Sequence, residues 1–483
     1  MAALDQVSGY LAKYNYGEIV SRLKGDYPDC AERQLQRRGS ELIMKALVIG
    51  SGGREHAILW ALERTSTAPL KLYCAPGNGG ISELAECVPI SASDHKSLIE
   101  FAETKAIDMT IVGPEGPLAE GMVDEFERHR LNIVGPGRAA ARLESSKAFA
   151  KDFMRRHNIP TAEYCVANSP DEALAALRRG KFGPPDSAVV VKADGLAAGK
   201  GVVVAASHED AEKAIADLAT GTLVAAEAAK QLLIEEALEG REVSVLLFAD
   251  GRDYALMPPA RDHKRIGEND TGPNTGGMGA ITDPSVLDKE TLDRIVREVV
   301  EPTLKGALQE GFPFRGILFI GLMLTAAGPK VLEYNVRFGD PETQAILVRL
   351  KSDLFKILQA TTAGNLRDIT VEWNDHASAC VVLASAGYPG PYDTGVAIKG
   401  LGQITRDDEL QIFHAGTAKS SGEDFVTAGG RVLGITAAAA TLEQALGNCY
   451  GAIDKIDWKG MQYRRDIGRF KLGPQASHPQ PAR

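Results

Sequence analysis

The segment Lys330-Val331-Leu332-Glu333-Tyr334-Asn335-Val336-Arg337-Phe338-Gly339-Asp340-Pro341-Glu342 carries the densest chemistry in the chain. On an extended strand Glu333, Asn335 and Arg337 share one face, and Leu332, Tyr334 and Val336 share the other. An apolar stripe behind a carboxylate, an amide and a guanidinium describes a half-buried strand presenting polar groups. The plain alternative is a solvated strand face. Carboxylate and amide oxygens are hard donors suited to Mg2+, which takes few protein ligands and keeps other positions for phosphate and water. An arginine just beyond can hold a carboxylate or phosphate in a fork.

A second cluster, Val191-Lys192-Ala193-Asp194-Gly195-Leu196-Ala197-Ala198-Gly199-Lys200-Gly201-Val202, reads as a strand, a Gly/Ala loop and another strand. It is not a Walker loop, because Lys200 is followed by Gly201 and no helix opens there. A hairpin that folds over a polyphosphate needs small residues for close approach and lysines for charge. Taken alone, the motif is equally an ordinary surface hairpin. A third run, Ile234-Glu235-Glu236-Ala237-Leu238-Glu239-Gly240-Arg241-Glu242-Val243-Ser244, has two strands meeting at a turn. It could face water or line a nucleotide pocket. Glu235 and Glu236 point to opposite faces, so at most one touches a given ligand. A fourth region, Asp262-His263-Lys264-Arg265 followed by the 270–279 stretch, is rich in Gly, Thr and Asn. Such a loop is filler or an active-site cover, and its cations and hydrogen-bonding side chains favour a cover. His263 by itself does not qualify as a catalytic base.

The turn Gly50-Ser51-Gly52 fits the first two glycines of a dinucleotide fingerprint, but the third falls on Glu55. That glycine lets the helix pack closely, and the acidic ribose reader is also missing after Cys74. The other readings are a phosphate cradle of backbone N–H groups aided by Arg54, or a bare turn.

Elements that place these groups follow from apolar periodicity. From residue 45 short apolar strands alternate with helices, as in an open parallel sheet whose ligands sit beyond the strand carboxyl ends. Those ends carry residues 50–53, 76–80 and 113–117. A second unit opens with a helix at 147–156 and has strands at 188–192, 201–205, 231–235, 243–248, 316–324 and 330–335. Much of it is expected antiparallel, with hairpin turns at 251–252 and 327–329. A third unit has strands at 377–383, 411–414 and 431–437. The 483 residues suggest about three domains. With 54 Lys+Arg against 64 Asp+Glu there is no basic excess, so nucleic-acid binding is not expected. Six cysteines form no C-x-x-C pair, which points to a reducing, cytoplasmic setting and away from zinc. No apolar run is long enough for a membrane span.

In this order the strings Gly-Gly-Arg-Glu-His (52–56), Glu-x-Ser-Lys-Ala-Phe (144–149), the 192–202 loop, Asp-His-Lys-Arg (262–265), 270–279 and Asn-x-Arg-Phe-Gly-Asp-Pro-Glu-Thr-Gln (335–344) resemble the ATP-grasp superfamily. Within it they resemble the phosphoribosylamine–glycine ligase (glycinamide ribonucleotide synthetase) family, from Met44 to about Phe470. The resemblance implies an α/β fold: an N-terminal open parallel-sheet domain at 44–145, a two-lobed ATP-grasp domain at 146–369 and a smaller C-terminal α+β domain at 370–470. Residues 1–43 are expected to be a dispensable extension or to follow a mis-assigned start, and 471–483 a disordered tail. The implied reaction joins glycine to 5-phosphoribosylamine with ATP and Mg2+ or Mn2+. It implies Glu333 and Asn335 for the metal, with Lys147, Lys192 and the loop of Gly195, Gly199, Lys200 and Gly201 on ATP phosphates. The segment Glu235–Leu238, with Glu235, Glu236 and Leu238 as its ATP-binding residues, would grip adenine, and Glu242 or a neighbour would take the ribose. Arg337, Asp262 and Lys264 would meet glycine and the acyl phosphate. Gly52, Gly53, Arg54, Glu55, Asn78 and Glu115 would hold the phosphoribosyl end. Ala237 departs from the family, where a bulky aromatic is frequent. Small-molecule substrates and a monomer or weak homodimer are expected. The rivals are a sister carboxylating ATP-grasp enzyme and a nucleotide-binding regulator without turnover. The second is disfavoured because Lys192, Glu333, Asn335 and Arg337 are all present.

Overall fold

The computed structural model describes residues 43–196, 201–220 and 231–469. The expectations for the N-terminal extension, for Gly199 and Lys200, and for the tail lie outside the described residues. All side chains discussed below belong to one compact unit, made of described residues in Lys45–Thr67 and from Leu72 onward.

The first sheet forms around β1 (Met44–Gly50), whose Ala46, Leu47, Val48 and Ile49 are fully buried, as a central parallel strand requires. With β2 (Leu70–Pro76), β3 (Glu86–Cys87), β4 (Met109–Val112) and β5 (Ile133–Val134) it has the order β3-β2-β1-β4-β5. The pairs β1–β4, β2–β3 and β4–β5 are parallel. The helix Gly53–Thr65 follows β1 directly, so its N-terminus and the next two strand ends share one edge. Gly77 N bonds Gly50 O at 3.1 Å and Gly113 N bonds Ile49 O at 2.9 Å, drawing the three turns together.

The next segment supplies β6 (Tyr164–Ala167), β7 (Val189–Ala193), β8 (Val202–Ala205) and β9 (Leu232–Glu236), in the order β6-β9-β7-β8 with antiparallel pairing. The helices Pro170–Arg178 and His208–Ala219 cover it, with Ala173, Leu177, Ile215 and Leu218 packed on Val189, Val191, Leu232 and Ile234. Beyond lie β10 (Arg241–Asp250), β11 (Tyr254–Leu256), β12 (Arg261–Asp262), β13 (Arg265–Gly267), β14 (Thr271–Asn274), β15 (Gly279–Thr282), β16 (Arg315–Thr325) and β17 (Gly328–Asn335). An antiparallel sheet has the order β11-β10-β16-β17. The last segment provides β18 (Ala377–Ala384), β19 (Leu410–His414), β20 (Thr417–Lys419), β21 (Phe425–Thr427) and β22 (Arg431–Ala439). Its main sheet is β12-β15-β18-β22-β19, so two of its five strands come from before residue 283.

Two readings change. The 262–279 stretch, expected as a loop, is largely paired backbone: β12 on β15, and β13 on β14 around Glu268–Asp270. Strand β17 also departs from strict alternation. Gly321 pairs Glu333 while Leu322 pairs Val331, so Leu332 is an extra residue, a β-bulge. The buried face therefore holds Val331, Tyr334 and Val336, and Leu332 is only half-buried.

Candidate active site

The bulge aims β17 at the lysines. With Leu332 out of the ladder, its carbonyl accepts from Lys192 Nζ at 3.2 Å. Glu333 and Asn335 stay on one side, backed by Tyr334, whose hydroxyl meets Thr303 Oγ1 at 2.7 Å. Burial alone would raise the Glu333 carboxyl. Lys264, Lys192 and Lys147, with a hydrogen bond from Asn335, outweigh burial and hold it below the usual carboxylate range. An ionised carboxylate beside an amide oxygen, ringed by three ammonium groups, is a donor set that fits a hard divalent ion bridging to phosphate.

Each lysine has its own anchor. Lys147 opens the helix Lys147–Arg156, capped by Ser146, whose Oγ accepts from Phe149 N at 3.1 Å. Asp194, from the end of β7, adds a second cap by accepting from Ala148 N at 2.6 Å. This docking brings Lys147 Nζ to Gly195 O at 3.1 Å. Burial lowers the Lys147 ammonium, Lys192 acts in the same direction, and Glu333 opposes. Lys264 Nζ bonds Glu242 Oε2 at 2.7 Å. Burial would lower Lys264, but Glu242, Asp262 and Glu333 hold it well above its usual value. Asp262, on β12, is pushed up to about 6 by burial and by the Glu242 and Glu333 carboxylates, against Lys264.

Arg337 sits between carboxylates: Nε is 3.3 Å from Glu115 Oε2 and Nη2 is 3.2 Å from Glu144 Oε1. Burial opposes its charge, yet Glu144 and Glu115 raise it above the ordinary guanidinium value. Glu115 is lowered because Arg337 and Arg54 outweigh its burial. The open phosphate cradle expected at the first turn is corrected. Glu55 folds back as a capping box and takes Gly52 N at 2.5 Å and Arg54 Nε at 2.6 Å. It fits because Gly113 has no side chain: a Cβ there would lie 1.9 Å from Glu55 Oε1. Arg54 also donates to Phe338 O at 3.1 Å. Asn78 is equally engaged, donating to Ser51 O at 2.9 Å and His414 O at 2.8 Å. Glu55 and Asn78 thus position backbone; at this edge Gly52 and Glu115 are half-buried, and Gly53 and Arg54 are buried behind them.

Of the other expected residues, Glu235 is buried between two lysines and Glu236 Oε1 pairs with Lys330 Nζ at 2.6 Å. Both carboxylates are engaged by lysines, which leaves the backbone of this segment as its recognition surface. Leu238 is half-buried beside them. Gly201 O holds Ala193 N at 2.8 Å, closing the described part of the hairpin. His263 is buried, lowered to about 4 by burial, and its Nε2 accepts from Gly468 N at 2.9 Å, so its part is structural.

Residues 44–144, 145–343 and 378–470 match, in turn, the N domain, the ATP-grasp (A) domain and the C domain of the family described as phosphoribosylglycinamide synthetase. The phosphoribosylamine–glycine ligase of Brucella melitensis is 48% identical over 427 residues, 88% of this chain and 97% of that protein. The chain belongs to the phosphoribosylglycinamide synthetase family. A ligase of the same description from Vibrio cholerae is 47% identical over 88% of this chain and 98% of its own length. The crystal structure of the Thermotoga maritima phosphoribosylamine–glycine ligase superposes with a TM-score of 0.74 at 35% identity, covering 88% of this chain and all of that one. A biotin carboxylase from Campylobacter jejuni, at 16% identity and a TM-score of 0.65, shares the fold.

Sequence reasoning passed over several site residues of this family member. Glu144 holds Val336 N at 2.7 Å as well as Arg337. Arg431 clasps Asp340 Oδ2 at 2.8 Å and the carbonyls of Asp340 and Gly276. Glu342, 5% exposed, is pushed up to about 8 by burial and by Asp262. Lys151 is buried on the helix carrying Lys147. The available signal was a lysine among Ala148, Ala150, Phe153 and Met154, on the apolar side of an amphipathic helix.

Proposed function

We propose that this chain joins glycine to 5-phosphoribosylamine with ATP, forming glycinamide ribonucleotide, ADP and phosphate in de novo purine synthesis. A carboxylate is a poor acylating agent, so its activation must come first. A glycine carboxylate oxygen attacks the γ-phosphorus, the bond to the β–γ bridging oxygen breaks, and ADP leaves. The ribosylamine nitrogen then attacks the carbonyl carbon of glycyl phosphate, losing a proton as phosphate departs. The neutral amine needs no general base. The protein's task is positioning and charge neutralisation.

Lys147 and Lys192 face the ATP phosphates with Gly195 and Gly201. The backbone of Glu235–Leu238 faces adenine and Glu242 the ribose. Arg337, with Asp262 and Lys264, orients glycine and the transferred phosphoryl group. Gly52 and Glu115, backed by the buried Gly53 and Arg54, frame the phosphoribosyl end. Glu333 and Asn335 would hold Mg2+ or Mn2+, which supplies Lewis-acid stabilisation of charge on the phosphate oxygens. The five described cysteines are free thiols, in keeping with a reducing cytoplasm.

The reading is carried by Glu333, ionised amid Lys147, Lys192 and Lys264 and two residues from Asn335. Phosphate release, with phosphoribosylamine generated in situ, should require glycine. Release that ignores glycine would refute the reading. Glu333→Gln should lower kcat on the order of 10²-fold with an unchanged melting temperature. Wild-type turnover in that variant would remove the metal assignment.

A further inference from the structure

The helix Lys147–Arg156 buries a lysine that the assignments above leave unused. Lys151 is 2% exposed. Its Nζ donates to Glu235 Oε2 at 2.8 Å and to Thr161 Oγ1 at 2.8 Å. Glu235, also 2% exposed, turns Oε1 to Lys192 Nζ at 3.0 Å. Lys192 Nζ continues to Leu332 O at 3.2 Å, while Thr161 Oγ1 donates to Val331 O at 2.6 Å. The contacts close a ring through the helix, β9, β7 and the two residues at the bulge of β17.

Charge within that ring has a consequence for ATP. A lone Lys192–Glu235 pair would sum to zero and direct its field away from a phosphate. Two ammonium groups on one carboxylate leave a net single positive charge, and Lys151 is too enclosed to reach a ligand. Burial lowers the Lys151 ammonium to about 8, with Glu235 opposing, so it is protonated at neutral pH. A charge taken out of water this fully needs a compensating partner.

We propose that Lys151 is a positioning residue for ATP. It neutralises Glu235, so that Lys192 keeps its positive charge for the phosphates while Glu235 and the Leu332 carbonyl fix its place. The proposal rests on the reading of Lys192 as a phosphate-binding residue.

The test measures KM for ATP and for glycine, kcat and melting temperature in the full chain, for wild type, Lys192→Met, Lys151→Met and the double variant Lys151→Met/Glu235→Gln. Lys151→Met should raise the ATP KM about tenfold or more, with the glycine KM little changed. The double variant restores the net charge and should return the ATP KM to within about threefold of wild type. A wild-type ATP KM in Lys151→Met overturns the proposal, as does a double variant as impaired as the single one. A purely structural ion cluster would shift melting temperature without this selective KM change and rescue. Should Lys151→Met fail to fold, the double variant decides: recovery to within about threefold sustains the proposal, and a tenfold rise overturns it. If Lys192→Met itself leaves the ATP KM unchanged, the phosphate reading fails and takes this one with it. A raised KM in Lys192→Met beside a normal one in Lys151→Met sinks only the present proposal.

Discussion

Glu342 shows how a single residue couples the site to pH. Its carboxyl lies in the interior at the start of the helix Glu342–Leu347, and burial, then Asp262, raises it from 4.5 to about 8. The folded chain therefore keeps this proton where the unfolded chain has released it. Stability from this group is complete below 4.5 and is lost as pH rises through about 8. Glu342→Gln retains the shape and removes the titration. Its melting temperature, relative to wild type, should rise between pH 5.5 and pH 8.5. The same difference at both pH values would mean that Glu342 is ionised throughout. Asp262, itself raised to about 6, adds to the lift on Glu342, and Arg337 and Lys264 oppose it. The sequence exposed the polar face of β17 because strand alternation has a period of two. It concealed Glu342 and Lys151, since an acid or a lysine defaults to water unless a distant partner claims it.

Among the elements, the helix Lys147–Arg156 decides where two lysines go, and its N-terminus is held by side chains from two segments. Ser146 Oγ accepts from Phe149 N, and Asp194 Oδ1 accepts from Ala148 N. Ser146→Ala should cost about 1 kcal/mol, the usual worth of an N-cap, because Asp194 still satisfies one orphan amide. Urea titration should show a lower midpoint with an unchanged slope. An unaltered midpoint would mean that Asp194 alone secures the helix. This element was readable in full, from the lysine after Ser146 to the stop at Asn158-Ile159-Pro160. The long apolar strands were also readable: 316–324 became Arg315–Thr325 and 330–335 became Gly328–Asn335. The short strands β12 to β15 were not. Gly and Asn disfavour strands, and pairing with β12 and β18 makes Gly279–Thr282 extended and buried. The bulge at Leu332 was hidden as well, because it depends on the register with β16.

At the scale of the whole molecule, the C-terminal segment is built into the catalytic part. Strand β15 pairs with β18 over Gly279↔Val381 to Thr282↔Ser378, so the sheet runs from the 261–282 region into the last segment. Side chains repeat the connection. Arg431 on β22 holds the Asp340 and Gly276 carbonyls, Asp340 lying three residues beyond Arg337. Arg464, fully buried, donates to Asp270 Oδ1 at 2.8 Å and Arg265 O at 3.0 Å. Gly468 N closes on His263. Removing this segment would expose the buried edge of β15 and leave those carbonyls, Asp270 and Asp340 without their cations. Unpaired edges invite aggregation, and buried groups stripped of partners are costly. A chain ending at residue 369 is therefore expected to lack a cooperative thermal transition and to lose ATP binding, as calorimetry and nucleotide titration would report. The alternative is an ATP-binding half that stands alone, with the last segment an appendage. It predicts a sharp transition and undiminished nucleotide affinity in the shortened chain, and that result would show that the shared sheet forms after the site rather than supporting it.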